Sequence, residues 1–189
     1  VTSQKGDLAF YDLDPQGWPQ PSGSLALSQD VRDLELSAEA LFVITAKGQL
    51  LEFALDRWPK PALASQHDLK GRPLRLAMST QANRLFCSLV GSGLAVIDIS
   101  RQGAPRVVER MAMAKAPTSP QVHANRLFTV SVDGLRVLPV EMYSQSPAAP
   151  EIAHPLPHDR GKVRLIKWHG AVYAYNQSAL VRLSATSAT

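Results

Sequence analysis

Cysteine is nearly absent from this chain: Cys87 is the only one in 189 residues, which excludes an intramolecular disulfide framework. Cys87 lies in the apolar run LFCSLV, so a buried, inert thiol is expected. A reduced cytosol and a disulfide-free exported protein both fit a single cysteine. No apolar run approaches the ~18 residues that a transmembrane helix needs. Residues 1–14 hold no basic stretch followed by an apolar one, so no signal peptide is read there. The chain starts on Val1 rather than Met, as expected of a processed or trimmed product, and export stays open. Charge of one sign is also sparse. Twenty Lys and Arg stand against 16 Asp and Glu, a formal net charge of +4. The densest basic stretches are 72–75, 101–110 and 160–167, and none forms the run that tracks phosphates, so nucleic acid is not an expected partner. There is no G-x-S-x-G nucleophile motif. Gly91-Ser92-Gly93 has the wrong spacing for one, is too short for a phosphate loop, and reads as a hairpin turn. A sustained helical period with caps is missing too; residues 107–115 come nearest.

What the chain does have is a folding composition, 45% hydrophobic, punctuated by 14 Pro and 11 Gly. That combination points to many short strands joined by turns. One phrase recurs: LAFYDLD (8–14), LLEFALD (50–56), LAVIDIS (94–100), LRVLPVE (135–141) and ALVRLSA (179–185). Its last large aliphatic residues are Leu13, Leu55, Ile99, Val140 and Leu183, so the steps are 42, 44, 41 and 43 residues. A period of about 40–45 with several strands per unit is the signature of a β-propeller. The expected fold is therefore all-β, a propeller of about four blades of four antiparallel strands, standing alone or as part of a larger propeller. The units run approximately 1–29, 30–70, 71–114, 115–157 and 158–189 within a single domain or propeller segment.

Each unit divides alike. An inner strand (31–37, 74–79, 121–124, 163–168) is followed by one that opens on a large pair: Leu41-Phe42, Leu85-Phe86, Leu127-Phe128 or Val172-Tyr173. The recurring phrase comes third. A proline turn follows, at 18–21, 58–61, 103–105 and 146–150, because proline lacks a ladder donor. The fourth strand (SLALSQ, ALASQHD, RVVERM, EIAHPLP) is the least apolar, as suits an outer edge. The total is about seventeen strands, not a multiple of four. Either the last three strands pair with the strand near 24–29 to close a four-bladed ring, or the chain belongs to a larger propeller whose other blades lie elsewhere. Unpaired terminal edges favour the second.

The stretch GLAVIDISRQGAPRVV (93–108) resembles the repeat of LVIVD-type β-propellers: a glycine turn, an apolar strand ending in acid plus aliphatic, a short turn to proline, then an outer strand. Residues 47–63 and 5–25 are similar in outline. Residues 134–152 depart from it, with Pro139 where Asp98 stands, and 177–185 lack both glycine and acid. The resemblance implies a bacterial protein that is exported or at the cell surface, often within a larger chain. It carries no catalytic residue.

Several groups of polar residues could carry chemistry. His154, His158 and Asp159 are the densest set of metal-ligand types, and His123 or His169 could supply further ligands. Their proline-separated spacing fits no standard site, and a solvated loop is the expectation. Asp12, Asp14, Asp98 and Asp133 stand at strand ends, where acid–base work or simple turn hydrogen bonding could use them. The turn role is expected. Trp18 and Trp58 share a position and should pack beside their WP turns, whereas Trp168 stands alone and could line a channel mouth. No catalytic, cofactor-binding or metal residue is assigned, and no cofactor is expected. The function expected is a non-enzymatic scaffold for protein or glycan recognition, or a structural module of a larger assembly. Its partner would be another protein or the remaining blades of a larger propeller. The alternative is a propeller-fold hydrolase or lyase acting on a sugar or small metabolite through channel-facing polar residues.

Overall fold

β-Branched and aromatic residues, interrupted every few positions by Gly, Pro, Asn or Asp, favour short strands and tight turns. The computed structural model describes residues 6–113, 120–131, 134–141, 151–152, 163–175 and 180–183. Seventeen strands lie among them, in five sheets whose strands follow sequence order. The first sheet is β1 (Asp7–Leu13) and β2 (Pro19–Ala26). The second is β3 (Val31–Leu36), β4 (Ala40–Thr45), β5 (Gln49–Ala54) and β6 (Ala62–Asp68). The third is β7 (Arg72–Ser79), β8 (Arg84–Val90), β9 (Gly93–Asp98) and β10 (Arg106–Met111). The fourth is β11 (Gln121–His123), β12 (Arg126–Ser131), β13 (Gly134–Pro139) and β14 (Glu151–Ile152). The fifth is β15 (Arg164–Trp168), β16 (Ala171–Tyr175) and β17 (Leu180–Leu183).

The propeller built of repeats, expected from the period, is corrected by this pairing. The sheets are separate, with two, four, four, four and three strands, and no closed barrel or propeller ring forms among the described residues. The all-β, antiparallel part of the expectation stands. The physical reason is local. A period of forty-odd residues reports strands that pair with their sequence neighbours through short turns, and that pairing is complete within each sheet. It does not specify an arrangement of sheets about an axis. No helix among the described residues is long and apolar enough to cross a membrane.

Turn chemistry sets the registers. His169 and Gly170, at φ 46° and 69°, join β15 to β16 with Trp168 opposite Ala171. Ala124 and Asn125, at φ 47° and 58°, join β11 to β12 with His123 opposite Arg126. Two successive left-handed residues match the right-handed twist of the flanking strands. The proline run expected as a turn at 18–21 is partly strand: Pro19 and Pro21 lie in β2, opposite Leu13 and Tyr11. Among the described residues β2 pairs only with β1, so on its other edge the missing N–H groups cost no described ladder bond.

The chain divides into two compact units, residues 1–73 with 101–105, and residues 74–100 with 106–189. In the first, Leu8 and Phe10 of β1 join Leu41 and Val43 of β4 and Leu51 and Phe53 of β5 in one apolar cluster. In the second, Phe86, Leu94 and Val96 pack with Leu127, Leu138 and Val140, joining the third sheet to the fourth. Phe128, Val130, Leu135 and Val137 pack with Leu165, Val172, Ala174 and Leu183, joining the fourth to the fifth. Strand β4 is buried at every position, which explains its unbroken apolar run. Cys87 is fully buried in β8, as its apolar neighbours foretold.

Candidate functional site

Two of the acids at strand ends, Asp14 and Asp98, are local fasteners. Asp14 follows β1 and receives the backbone N–H groups of Trp18 at 2.8 Å and Gln16 at 3.0 Å, and the Gln20 amide at 3.3 Å. The Trp18 N–H, more than the other donors, holds its carboxyl below the usual carboxylate range. Asp98 closes β9 and receives the Ser100 N–H at 2.9 Å. It lies directly opposite Arg84 on one side and Arg106 on the other, at 3.0 and 3.6 Å. Its carboxyl is also held low, first by the Ser100 backbone N–H, then by the Ser100 hydroxyl, with smaller contributions from the two guanidinium groups. Asp12 accepts the Trp58 indole N–H at 3.3 Å. Asp14 and Asp98 have the turn role expected of them, whereas Asp12 holds a tryptophan 46 residues away instead of nearby backbone. His154, His158, Asp159 and Asp133 lie outside the described residues. His123 is half-buried in β11 and His169 is exposed in its turn. Among the described residues no three His, Cys, Asp or Glu side chains group as a metal site.

The paired tryptophans have different fates. Trp58 packs beside its turn, its ring centroid 4.8 Å from that of Phe10. Gly23, opposite Phe10 on β2, makes this berth. A Cβ there would meet the Pro59 carbonyl oxygen at 2.8 Å and the Pro59 Cβ at 3.1 Å. Trp18, at the same phase, is 69% exposed.

Sequence reasoning missed two features. The first is Glu52, a lone acid in the apolar phrase LLEFALD, 2% exposed on β5. It accepts the Ser65 hydroxyl at 2.8 Å, and the Gly103 N–H sits 3.0 Å from both carboxylate oxygens. That bond fastens the 101–105 turn within the first unit.

The second is the outer face of the fifth sheet. Leu165, Val172, Ala174 and Leu183 point into the core, so pleat alternation sends the intervening residues the other way. Arg164 lies opposite Tyr175, Ile166 opposite Tyr173, Tyr173 opposite Arg182, and Tyr175 opposite Leu180. Trp168 and Leu180 are 58% and 63% exposed, and Ile166 is exposed as well. The Trp168 ring leans on His169 at 4.6 Å and on Tyr173 at 6.1 Å, which fixes its orientation. Arg164 and Arg182 give this face its charge, and no acid occurs in 163–175 or 180–183. The alternation of Arg164, Ile166 and Trp168 was the available signal. Ala171 on this face is buried and Tyr173 and Tyr175 are half-buried, while Arg164, Ile166, Trp168, Leu180 and Arg182 are exposed, so the face is a partly exposed, basic, aromatic surface that can bind.

No family model and no curated protein sequence matches the chain. Solved structures are similar in fold alone. The computationally designed Ika4 protein matches with a TM-score of 0.58 and 14% identity, over 84% of this chain and 92% of that one. The computationally designed Ika8 protein matches with a TM-score of 0.61 and 16% identity, over 87% of this chain and 48% of that one.

Proposed function

We propose that this chain is a non-enzymatic protein-recognition module whose contact surface is the outer face of β15–β17. One observation carries the reading: exposed Trp168, Arg164 and Arg182 and half-buried Tyr173 and Tyr175 share one sheet face. Trp, Tyr and Arg are the residues that dominate binding energy at protein interfaces. Two-χ aromatics also lose little entropy when immobilised. The face is basic, so the partner it suits is an acidic segment with apolar side chains. The use of Asp12, Asp14 and Asp98 as fasteners supports the same reading, because these acids have structural employment.

The test is a titration of the 15N-labelled chain with a synthetic strand peptide alternating Asp with Leu and Tyr. The indole N–H signals of Trp18, Trp58 and Trp168 are followed separately. The Trp168 signal should move, that of Trp58 should stay, and added salt should weaken the effect. Arg182→Glu should abolish it. The reading is overturned by an unmoved Trp168 signal up to ~1 mM peptide, the weak limit of specific binding. It is equally overturned if a Lys-substituted peptide or a soluble oligosaccharide moves that signal as much.

A further inference from the structure

We infer that the occupant of this face is a second copy of the chain, which docks the outer face of its β1–β2 hairpin there. The inference rests on the recognition reading above and adds the identity of the partner. In the hairpin, Leu8 and Phe10 face the core, so Tyr11 and Leu13 point outward. Pro21 and Pro19 stand opposite those two. Leu13 is 71% exposed, and Tyr11 is exposed beside it. An exposed apolar patch on a small sheet marks a contact surface.

Charge selects the match. Residues 7–26 contain no Lys or Arg, although the whole chain is basic at +4, and Asp7, in phase with Tyr11 and Leu13, puts an exposed carboxylate on the outward face. The outer face of the fifth sheet carries Arg164 and Arg182, and no acid occurs among the sheet's described residues. Opposite charge across two apolar faces steers the encounter and fixes its register. Both surfaces are pleated sheet faces, which pack by interdigitating side chains.

Because the two surfaces differ, the contact is head-to-tail, and association can continue beyond a dimer. Size sets its strength. Three strands of about five residues span roughly 14 Å by 17 Å, on the order of 250 Å² in projection. A stable complex buries about 800 Å² on each partner, so this one is weak and concentration-dependent.

Sedimentation of the intact chain tests the inference. Its weight-average mass should rise between ~10 and ~500 µM, the range of a small interface, and fall back in high salt. The hairpin variant Asp7→Lys with Leu13→Lys should stay monomeric. So should the sheet variant Leu180→Glu with Arg182→Glu. All four positions are exposed, and circular dichroism should show both variants folded. An equimolar mixture should form a species of twice the monomer mass and nothing larger, because each variant keeps one intact surface. A wild type that stays monomeric throughout overturns the inference, as does a mixture that does not associate. In either case, a Trp168 signal still moved by the acidic peptide leaves the recognition reading standing. An unmoved signal removes both.

Discussion

Replacing Glu52 should loosen one particular turn. Its carboxylate is 2% exposed and holds the Ser65 hydroxyl and the Gly103 N–H together. A hydrogen bond to a charged group contributes about 1.5–3 kcal/mol. Ser65 is half-buried and Gly103 exposed, so both donors regain water once the carboxylate is gone, which reduces the loss. Glu52→Ala should therefore cost about 2–3 kcal/mol, cavity included. Glu52→Gln can keep an acceptor where Oε2 stands, within reach of both donors, and should cost about 1 kcal/mol. Urea denaturation measures the totals. Hydrogen exchange at the Gly103 amide measures the local effect, expected to be roughly 10–100-fold faster in Glu52→Ala and less changed in Glu52→Gln. If Glu52→Ala costs under ~0.5 kcal/mol and leaves Gly103 exchange unchanged, the carboxylate does not hold the turn and the reasoning fails.

Other consequences are equally checkable. Phe86 is fully buried between β-strand neighbours; Phe86→Ala should cost about 3–5 kcal/mol in the same denaturation assay. Gly23→Ala should push Pro59 off its berth and shift the Trp58 indole signal while leaving that of Trp168 in place. Asp98 has a folded pKa below its unfolded one, so it contributes stability that is fully present above the ordinary carboxylate value of about 3.9 and lost as pH falls through the lower folded value. The stability gap between wild type and Asp98→Asn should be constant near neutral pH and close on acidification below that value, as read by denaturation at a series of pH values.

The site was only partly legible beforehand. Turn-bound acids could be foreseen at Asp14 and Asp98 because short carboxylates at strand ends reach nearby N–H groups without help from distant chain. Trp18 and Trp58 could not be told apart, since both precede proline at the same phase. Phe10, Asp12 and Gly23, which come from another part of the sequence, give Trp58 a berth; Trp18 is 69% exposed. Glu52 looked like one polar interruption in a strand because its donor on Gly103 lies 51 residues away.

Strand identity was local information, and the sequence alone determined it. Apolar runs, glycine and proline punctuation and the spacing of the recurring phrase mark where β5, β9 and β13 lie, because each strand pairs with its neighbours in the chain. Only the tertiary structure decided how the sheets associate and which faces stay uncovered. A strand's alternation says that it has two faces; which face meets the core depends on residues far away in sequence. That is why the period was read as a propeller, or part of a larger one, while the pairing yields five separate sheets, and why Arg164, Ile166 and Trp168 became a surface only once Leu165 was seen to be buried among Phe128, Val130 and Val172.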